Sequence, residues 1–122
     1  MLAIWATSIK IMRSIKMAQT KNITLTGASK RTYSFQAFPW GTSFNPAGAV
    51  YAILKEAPIM HYSVLYIGQT GDLRERFDGH HKQACFDRNG KTHIAAYPEP
   101  TESRRFNVEA DLVRNYNPIC NG

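Results

Sequence analysis

The residues best suited to chemistry lie between Tyr66 and His81, in the segment YIGQTGDLRERFDGHH. Tyr66 stands near the end of an apolar stretch, and Arg76 and His80 follow it by ten and fourteen residues. A guanidinium grips phosphate oxygens with a planar fork, an imidazole moves protons near neutral pH, and a phenol can donate to or accept from a water. Together these side chains would suit a phosphodiester.

Local patterns predict how those side chains are held. Residues 64–67 (VLYI) are β-branched, aliphatic or aromatic, which predicts a buried strand that stops at the following glycine. Thr70 is the predicted N-cap of a helix from Asp72 to about Lys82. Arg76 and His80, four residues apart, would share one face of that helix.

Two other segments supply further candidates. Residues 49–53 (AVYAI) place Tyr51 on a second short apolar strand. Near the end of the chain, EADLVRNYNPICN places Glu109 on a predicted helix and Asn121 just after it. Apolar residues three or four positions from Glu109 put its carboxylate beside the core-facing stripe, where a charge needs a partner. The ordinary alternative is an exposed ion pair with Arg105, one turn earlier.

In order and spacing, these elements resemble the motifs of the GIY-YIG nuclease family over residues 48–122: AVY, YIG, R-x-x-x-H, a helical Glu and P-x-x-N. The resemblance implies a stand-alone small catalytic domain that hydrolyses DNA phosphodiester bonds with a metal ion. It implies catalytic roles for Tyr51, Tyr66, Arg76, His80, Glu109 and Asn121. Ala49 replaces the usual glycine of the first motif, but alanine fits a strand with φ < 0, so activity should survive.

The resemblance also implies individual roles. Tyr51 would orient or deprotonate the attacking water, and Tyr66 would support the water network and the phosphate. Glu109 would be the ligand of Mg²⁺ (or Mn²⁺), since one carboxylate with waters and phosphate oxygens is how Mg²⁺ is normally held. Asn121 would help to fix the site, although fraying is an alternative for a residue so near the end of the chain.

The basic residues have ordinary alternatives as well. Arg76 could form a salt bridge with Asp72, and Arg74 could pair with Asp78 in the same way. The chain carries a net charge of +6, and residues 1–55 hold seven of the fifteen Lys and Arg and no acid. Such a distribution favours a polyanion such as nucleic acid, or an anionic membrane surface. The predicted nucleic-acid contacts are Lys30, Arg31, Arg74 and Lys82.

DNA is the predicted substrate, with RNA left open as a further one. No recognised sequence-reading motif fits in the remaining residues, so low sequence specificity is expected. The alternative function is a nucleic-acid binding module that has kept this fold and lost turnover. The oligomeric state is open, and a monomer with one site would nick.

The two cysteines and the hydropathy suggest a compartment. Cys85 and Cys120 are spaced like neither a metal site nor a disulfide framework, which predicts free thiols in a reducing compartment. No apolar run is long enough to cross a bilayer. We therefore expect a cytoplasmic protein with no stable membrane insertion.

Three parts are predicted along the chain. Residues 1–16 are amphipathic and basic, and four interpretations stay open: a helix packed on the domain or a partner, an interfacial membrane helix, a transit-type leader, or residues upstream of a start at Met17. Residues 17–47 contain a predicted β-hairpin, which should cover one side of the core, and a connector. In that connector Trp40 and Phe44 are expected to plug the core rather than to stack on a base.

Residues 48–122 form the predicted nuclease domain, an α/β fold. Its expected core is a three-stranded mixed or antiparallel sheet flanked by helices, with the hairpin as an N-terminal extension. The predicted strands are 49–54, 63–67 and 92–97, with a loop at 85–91, and Thr101 should cap a final helix that runs to about Tyr116.

Overall fold

A computed structural model of the chain describes residues 20–59 and 61–122. The amphipathic segment predicted at residues 1–16 lies outside these ranges. The elements are β1 (Lys21–Thr26), β2 (Thr32–Pro39), β3 (Ala49–Ala57), β4 (His61–Thr70), α1 (Gln83–Arg88), β5 (His93–Pro98) and α2 (Glu102–Tyr116).

All five strands belong to one antiparallel sheet in the order β1-β2-β5-β3-β4. The sheet curls into a half-barrel, so the prediction of a three-stranded sheet flanked by helices was wrong. The hairpin of β1 and β2 was correctly predicted, but it does not cover the core. It extends the sheet, because β2 pairs with β5 from Gln36 opposite Ala96 to Pro39 opposite His93.

Alternating side chains of β3 point into two cores. Tyr51 and Ile53 lie in the core that α1 and the connector cover, together with Phe86 of α1. Val50 and Ala52 lie in the core that α2 covers. We call these two sides of the sheet the α1 face and the α2 face. This separation decides which predicted site residues can meet.

The connector contributes to the α1 face as predicted. Trp40 and Phe44 pack against that core. The ring centroid of Trp40 lies 6.0 Å from that of Phe77 and 6.2 Å from that of Phe86. Both connector aromatics therefore plug the core.

The helix predicted over residues 72–82 is replaced by a series of turns. Oγ1 of Thr70 accepts a hydrogen bond from the backbone N–H of Asp72 (3.0 Å), and Oδ1 of Asp72 accepts one from that of Arg74 (2.9 Å). Such local side-chain bonds compete with helical backbone bonding. Gly79 has a φ of 72°, which interrupts a right-handed helix. Helix α1 forms instead just downstream, largely where a loop was predicted.

Asp111 attaches α2 to the hairpin turn. Its carboxylate accepts hydrogen bonds from the backbone N–H of Ser29 (2.9 Å), from the Ser29 hydroxyl (2.6 Å) and from the Tyr33 hydroxyl (2.8 Å). The bonds from Ser29, above all, lower the pKa of this carboxyl. A Cβ at Gly27 would lie 1.9 Å from the carboxylate, so the turn needs glycine for this close approach. The strand pattern of the hairpin does not reveal this contact.

A disulfide joins Cys85 of α1 to Cys120, with the two Cα atoms 5.8 Å apart, so the prediction of free thiols was wrong. The cysteines are 35 residues apart in sequence and meet only because the C-terminal segment returns to β4. There the backbone N–H of Cys120 donates to the carbonyl of Leu65 (2.9 Å). Free thiols therefore no longer support a cytoplasmic location, which stays a prediction.

Within residues 20–59 and 61–122, neither helix has the length and apolar character needed to cross a bilayer.

Candidate active site

Four of the predicted site residues meet on the α1 face. Nε of Arg76 donates to the hydroxyl oxygen of Tyr51 (3.0 Å), and Nε2 of His80 lies 2.8 Å from the same oxygen. The ring centroid of Tyr66 lies 6.0 Å from that of Tyr51 and 5.2 Å from that of His80. We call these four residues the Tyr51 cluster. Turns, rather than the predicted helix face, bring Arg76 and His80 together.

His80 acts as a hydrogen-bond donor to Tyr51. Its Nδ1 accepts from the backbone N–H of Lys82 (3.0 Å), which leaves the proton of a neutral ring on Nε2, facing the Tyr51 oxygen. Burial, and then the charges of Arg76, His81 and Lys82, lowers the pKa of His80 to about 4. The imidazole is therefore neutral at pH 7 and holds the phenol, whereas the sequence suggested proton exchange near neutral pH.

Tyr51 is a protonated phenol at neutral pH. Its side chain is fully buried, and burial raises its pKa above the ordinary value. The neighbouring Tyr66 also raises the pKa, whereas the cation of Arg76 lowers it. Because the oxygen already accepts from Arg76 and His80, the phenol's remaining capacity is to donate its own proton. The geometry suits orientation of a ligand better than base catalysis.

Arg76 keeps a free guanidinium edge. The salt bridges among the described residues are Lys21–Glu56, Lys91–Asp87 and Arg114–Asp111. The alternative salt bridges, of Arg76 with Asp72 and of Arg74 with Asp78, are therefore not formed. Only Nε of Arg76 is engaged within the described part of the chain, so its two terminal nitrogens could hold a phosphate through two parallel hydrogen bonds.

Gly68 makes room for the cluster. It lies inside β4, directly opposite Tyr51 in the pairing, and not at a turn after the strand. A Cβ here would lie 2.7 Å from Cζ and from the hydroxyl oxygen of Tyr51, and 2.8 Å from Cε2 of Tyr66. The third letter of YIG is therefore a steric requirement of the two tyrosine rings. A glycine inside a strand pattern is the signal that could have revealed this close approach.

Gly68→Ala is expected to displace both tyrosine rings and to lower the free energy of unfolding by about 1–3 kcal/mol, as other overpacked cores do. Urea denaturation would measure the loss. The matched control is Gly71→Ala, whose added Cβ would meet nothing nearer than Nη2 of Arg105, at 3.6 Å. Equal stability of the two variants would contradict this steric role.

Asn121 is ordered and bound to β4, so the fraying alternative was wrong. Its Oδ1 accepts from the backbone N–H of Ile67 (2.9 Å), and its Nδ2 donates to the carbonyl of the same residue (2.8 Å). Ile67 stands between Tyr66 and Gly68. The two bonds tie the C-terminal segment to the strand beneath the cluster.

Glu109 belongs to α2, an element that carries none of the Tyr51 cluster. It is half-buried on α2, which packs on the opposite face of the sheet. Burial raises the pKa of its carboxyl. The alternative partner Arg105 is bonded elsewhere: Nε donates to Oε1 of Gln69 (2.9 Å), and Nη1 donates to the carbonyls of Glu99 (3.1 Å) and Pro100 (2.9 Å). Glu109 therefore has no hydrogen bond or ion pair with the rest of the described chain.

An unpartnered carboxylate fits the role of a single Mg²⁺ or Mn²⁺ ligand. The described residues contain no group of three or more His, Cys, Asp or Glu side chains that could hold a metal on their own. Water and phosphate oxygens would have to complete the coordination. The metal-binding role of Glu109 stays a prediction.

The predicted nucleic-acid contacts fall in two places. Arg74 is exposed and Lys82 is half-buried, and both belong to the segment that carries the cluster. Lys30 and Arg31 are exposed at the hairpin turn, and Arg31 lines a groove beside α2. His81, to which the sequence assigned no role, stacks on His80 with ring centroids 4.8 Å apart.

His80 predicts a loss of stability in acid. Its pKa is about 4 in the folded protein against 6.5 in an unfolded chain, so the unfolded state binds the proton first as the pH falls. The free energy of unfolding should therefore decrease between pH 6.5 and 4, by up to about 3 kcal/mol. Burial raises the pKa of Glu109, and this group therefore acts in the opposite direction as the pH falls.

Urea denaturation between pH 7 and 4 would measure this dependence. His80→Gln should flatten it, and the exposed His61→Gln should leave it unchanged. An unaltered pH profile in His80→Gln would show that another group is responsible.

Comparisons of the chain with models of protein families, with curated proteins and with solved structures find no match. In the cluster, a buried phenol is held by an imidazole and by a guanidinium with a free edge, a set of donors that can bind an anion.

Proposed function

We propose that the protein is a metal-dependent endonuclease of the GIY-YIG type that hydrolyses DNA with low sequence specificity. The observation that carries this proposal is the hydrogen-bonded set of Tyr51, Arg76 and His80, with Tyr66 beside it. The set brings four motif residues together although the predicted helix is absent. A binding patch would need cations but not a buried phenol with two donors.

In the proposed reaction, the terminal nitrogens of Arg76 bind two oxygens of the scissile phosphate and offset the charge that develops there. The Tyr51 hydroxyl donates to the attacking water or to a phosphate oxygen, and His80 and Arg76 hold that hydroxyl in place. A bond forms from the water oxygen to phosphorus, and the bond from phosphorus to the 3′ oxygen breaks. The proton that the attacking water loses goes through solvent, and the departing 3′ oxygen takes up one proton in exchange, so the step balances. The products carry 5′-phosphate and 3′-hydroxyl ends, as the resemblance implies.

Glu109 would hold Mg²⁺ or Mn²⁺ with waters and phosphate oxygens. Because α2 covers the opposite face of the sheet, the phosphate that Arg76 binds would have to lie at the edge strand β4 to reach this ion as well. When bound, such an ion would stabilise negative charge on the phosphate. A chain acting alone would cut one strand at a time. RNA remains a candidate substrate, because the cluster would contact the phosphate and not the sugar.

A second function, a nucleic-acid binding module without turnover, is favoured by two specific observations. Tyr51 and His80 are only 0% and 3% exposed, so a water must gain access before it can react there. Glu109, moreover, lies on the helix that covers the other face of the sheet. A module that only binds would use Arg76 and would need neither the phenol nor the carboxylate.

Relaxation of supercoiled plasmid separates the two functions. Nicking that requires Mg²⁺, stops in EDTA and is lost in Glu109→Gln would support the nuclease. The control is Glu102→Gln, which removes an exposed carboxylate from the same helix and should cleave normally. Binding without cleavage of plasmid, branched or single-stranded DNA would support the module.

A further inference from the structure

A second basic site lies on the α2 face, away from the Tyr51 cluster. A groove of about 590 Å³ runs between the hairpin turn, the end of β5 and α2. Three arginines line it: Arg31 from the hairpin, and Arg104 and Arg114 from α2. We call it the arginine groove.

The arginines have few partners within the protein. The guanidinium groups of Arg31 and Arg104 form no ion pair or hydrogen bond with another described residue. Nη2 of Arg114 lies 3.8 Å from Oδ1 of Asp111, at the outer limit of an ion pair. All three side chains belong to exposed residues, so their donors face the groove or the solvent.

The acids of the groove are already bonded. Asp111 is buried and accepts hydrogen bonds from Ser29 and Tyr33. Oε2 of Glu99 accepts from the backbone N–H of Thr101 (2.9 Å). Neither carboxylate forms a close ion pair with an arginine of the groove, which therefore presents an excess of positive charge.

The length of the groove suits a strand rather than a single small anion. Arg104 and Arg114 are ten residues apart on α2, which separates their Cα atoms by about 15 Å along the helix. Arg31 stands on the hairpin side. Tyr33 and Tyr97 also line the groove, and their rings meet edge to face with centroids 5.6 Å apart.

We infer that the arginine groove binds successive phosphates of a nucleic-acid strand, at a site separate from the Tyr51 cluster. Guanidinium forks match phosphate oxygens, and a row of them tracks a backbone without reading its sequence. This inference does not depend on the proposed hydrolysis, since binding requires neither the phenol nor a metal.

The test is the fluorescence anisotropy of a labelled single-stranded oligonucleotide of about 16 nucleotides, measured in EDTA over a series of salt concentrations. Arg31→Gln, Arg104→Gln and Arg114→Gln should each weaken binding several-fold at low salt. Each should also reduce the slope of log K against log[salt] by about 0.7. Thermal denaturation checks that each variant is folded, and Arg104→Gln alters no ion pair or hydrogen bond within the described chain.

Arg88→Gln is the matched control, since it removes the same charge from an exposed residue of α1. An equal loss of binding in this control would mean that only net charge matters and would overturn the inference. Unchanged oligonucleotide binding in all three groove variants would also overturn the inference. The same holds if the variants lose binding to phosphatidylserine vesicles but still bind DNA. The binding assay contains EDTA, so metal-dependent cleavage cannot affect it. The proposed function is tested separately, by the loss of plasmid nicking in Tyr51→Phe when Mg²⁺ is present.

Discussion

Tyr51→Phe is expected to lower the rate of DNA nicking by at least about 100-fold, in line with the loss of other preorganised donors at reacting centres. The substitution keeps the ring, which packs edge to face on Phe77 with centroids 5.1 Å apart. It removes only the oxygen that Arg76 and His80 hold. The initial rate of plasmid nicking measures the effect.

The same substitution should also reduce stability. Without the Tyr51 oxygen, the Nε–H of Arg76 and the buried Nε2–H of His80 lose their acceptor. An unsatisfied buried donor costs about 1–3 kcal/mol. Urea denaturation of Tyr51→Phe would measure this loss.

Tyr62→Phe is the matched control. The Tyr62 hydroxyl is buried and has no hydrogen-bond partner among residues 20–59 and 61–122, so its removal should leave stability unchanged or raise it slightly. Nicking should proceed at the rate of the unaltered protein. If Tyr51→Phe nicked equally fast, the phenol would have no part in the reaction and the proposed roles would have to be abandoned.

Reduction of the Cys85–Cys120 disulfide is expected to lower the free energy of unfolding by roughly 4 kcal/mol. The bond closes a loop of 35 residues, and opening that loop restores conformational entropy to the unfolded chain. The same loop contains the whole of β5 and α2. Urea denaturation with and without dithiothreitol measures the difference.

The disulfide should also affect the site. Cys120 immediately precedes Asn121, whose side chain fixes Ile67 between Tyr66 and Gly68. Reduction should therefore slow nicking as well as destabilise the fold. The double variant Cys85→Ser/Cys120→Ser serves as the control, because it should be less stable from the outset and insensitive to dithiothreitol. Equal unfolding midpoints of the oxidised and reduced protein would rule out a stabilising bond.

Much of the fold followed from local pattern. The alternation of β1 and β2 predicted the hairpin, and the apolar stretches around Tyr51 and Tyr66 predicted two paired strands. The predicted start of α2 after Thr101 and its predicted end near Tyr116 were correct, although the Thr101 side chain makes no capping hydrogen bond. In each case neighbouring residues carry the information, because periodicity and turn chemistry act over a few positions.

The segment 72–82 shows how local chemistry can also mislead. Thr70 and Asp72 suit a helix N-terminus, and the residues after them fit a helical face. In the structure both side chains bond to nearby backbone N–H groups, and Gly79 adopts a positive φ. Arg76 and His80 nevertheless reach Tyr51, since the contact requires only that the two side chains converge.

The sequence by itself determined the strands, α2, the excess of positive charge and the identity of the residues that form the Tyr51 cluster. Tertiary structure alone decided that β2 pairs with β5, that Cys85 meets Cys120, and that Glu109 lies on the helix of the opposite face. Periodicity tells which residues point inward, but long-range pairing depends on the packing of the whole chain. A short sequence pattern therefore cannot predict which distant segments pair.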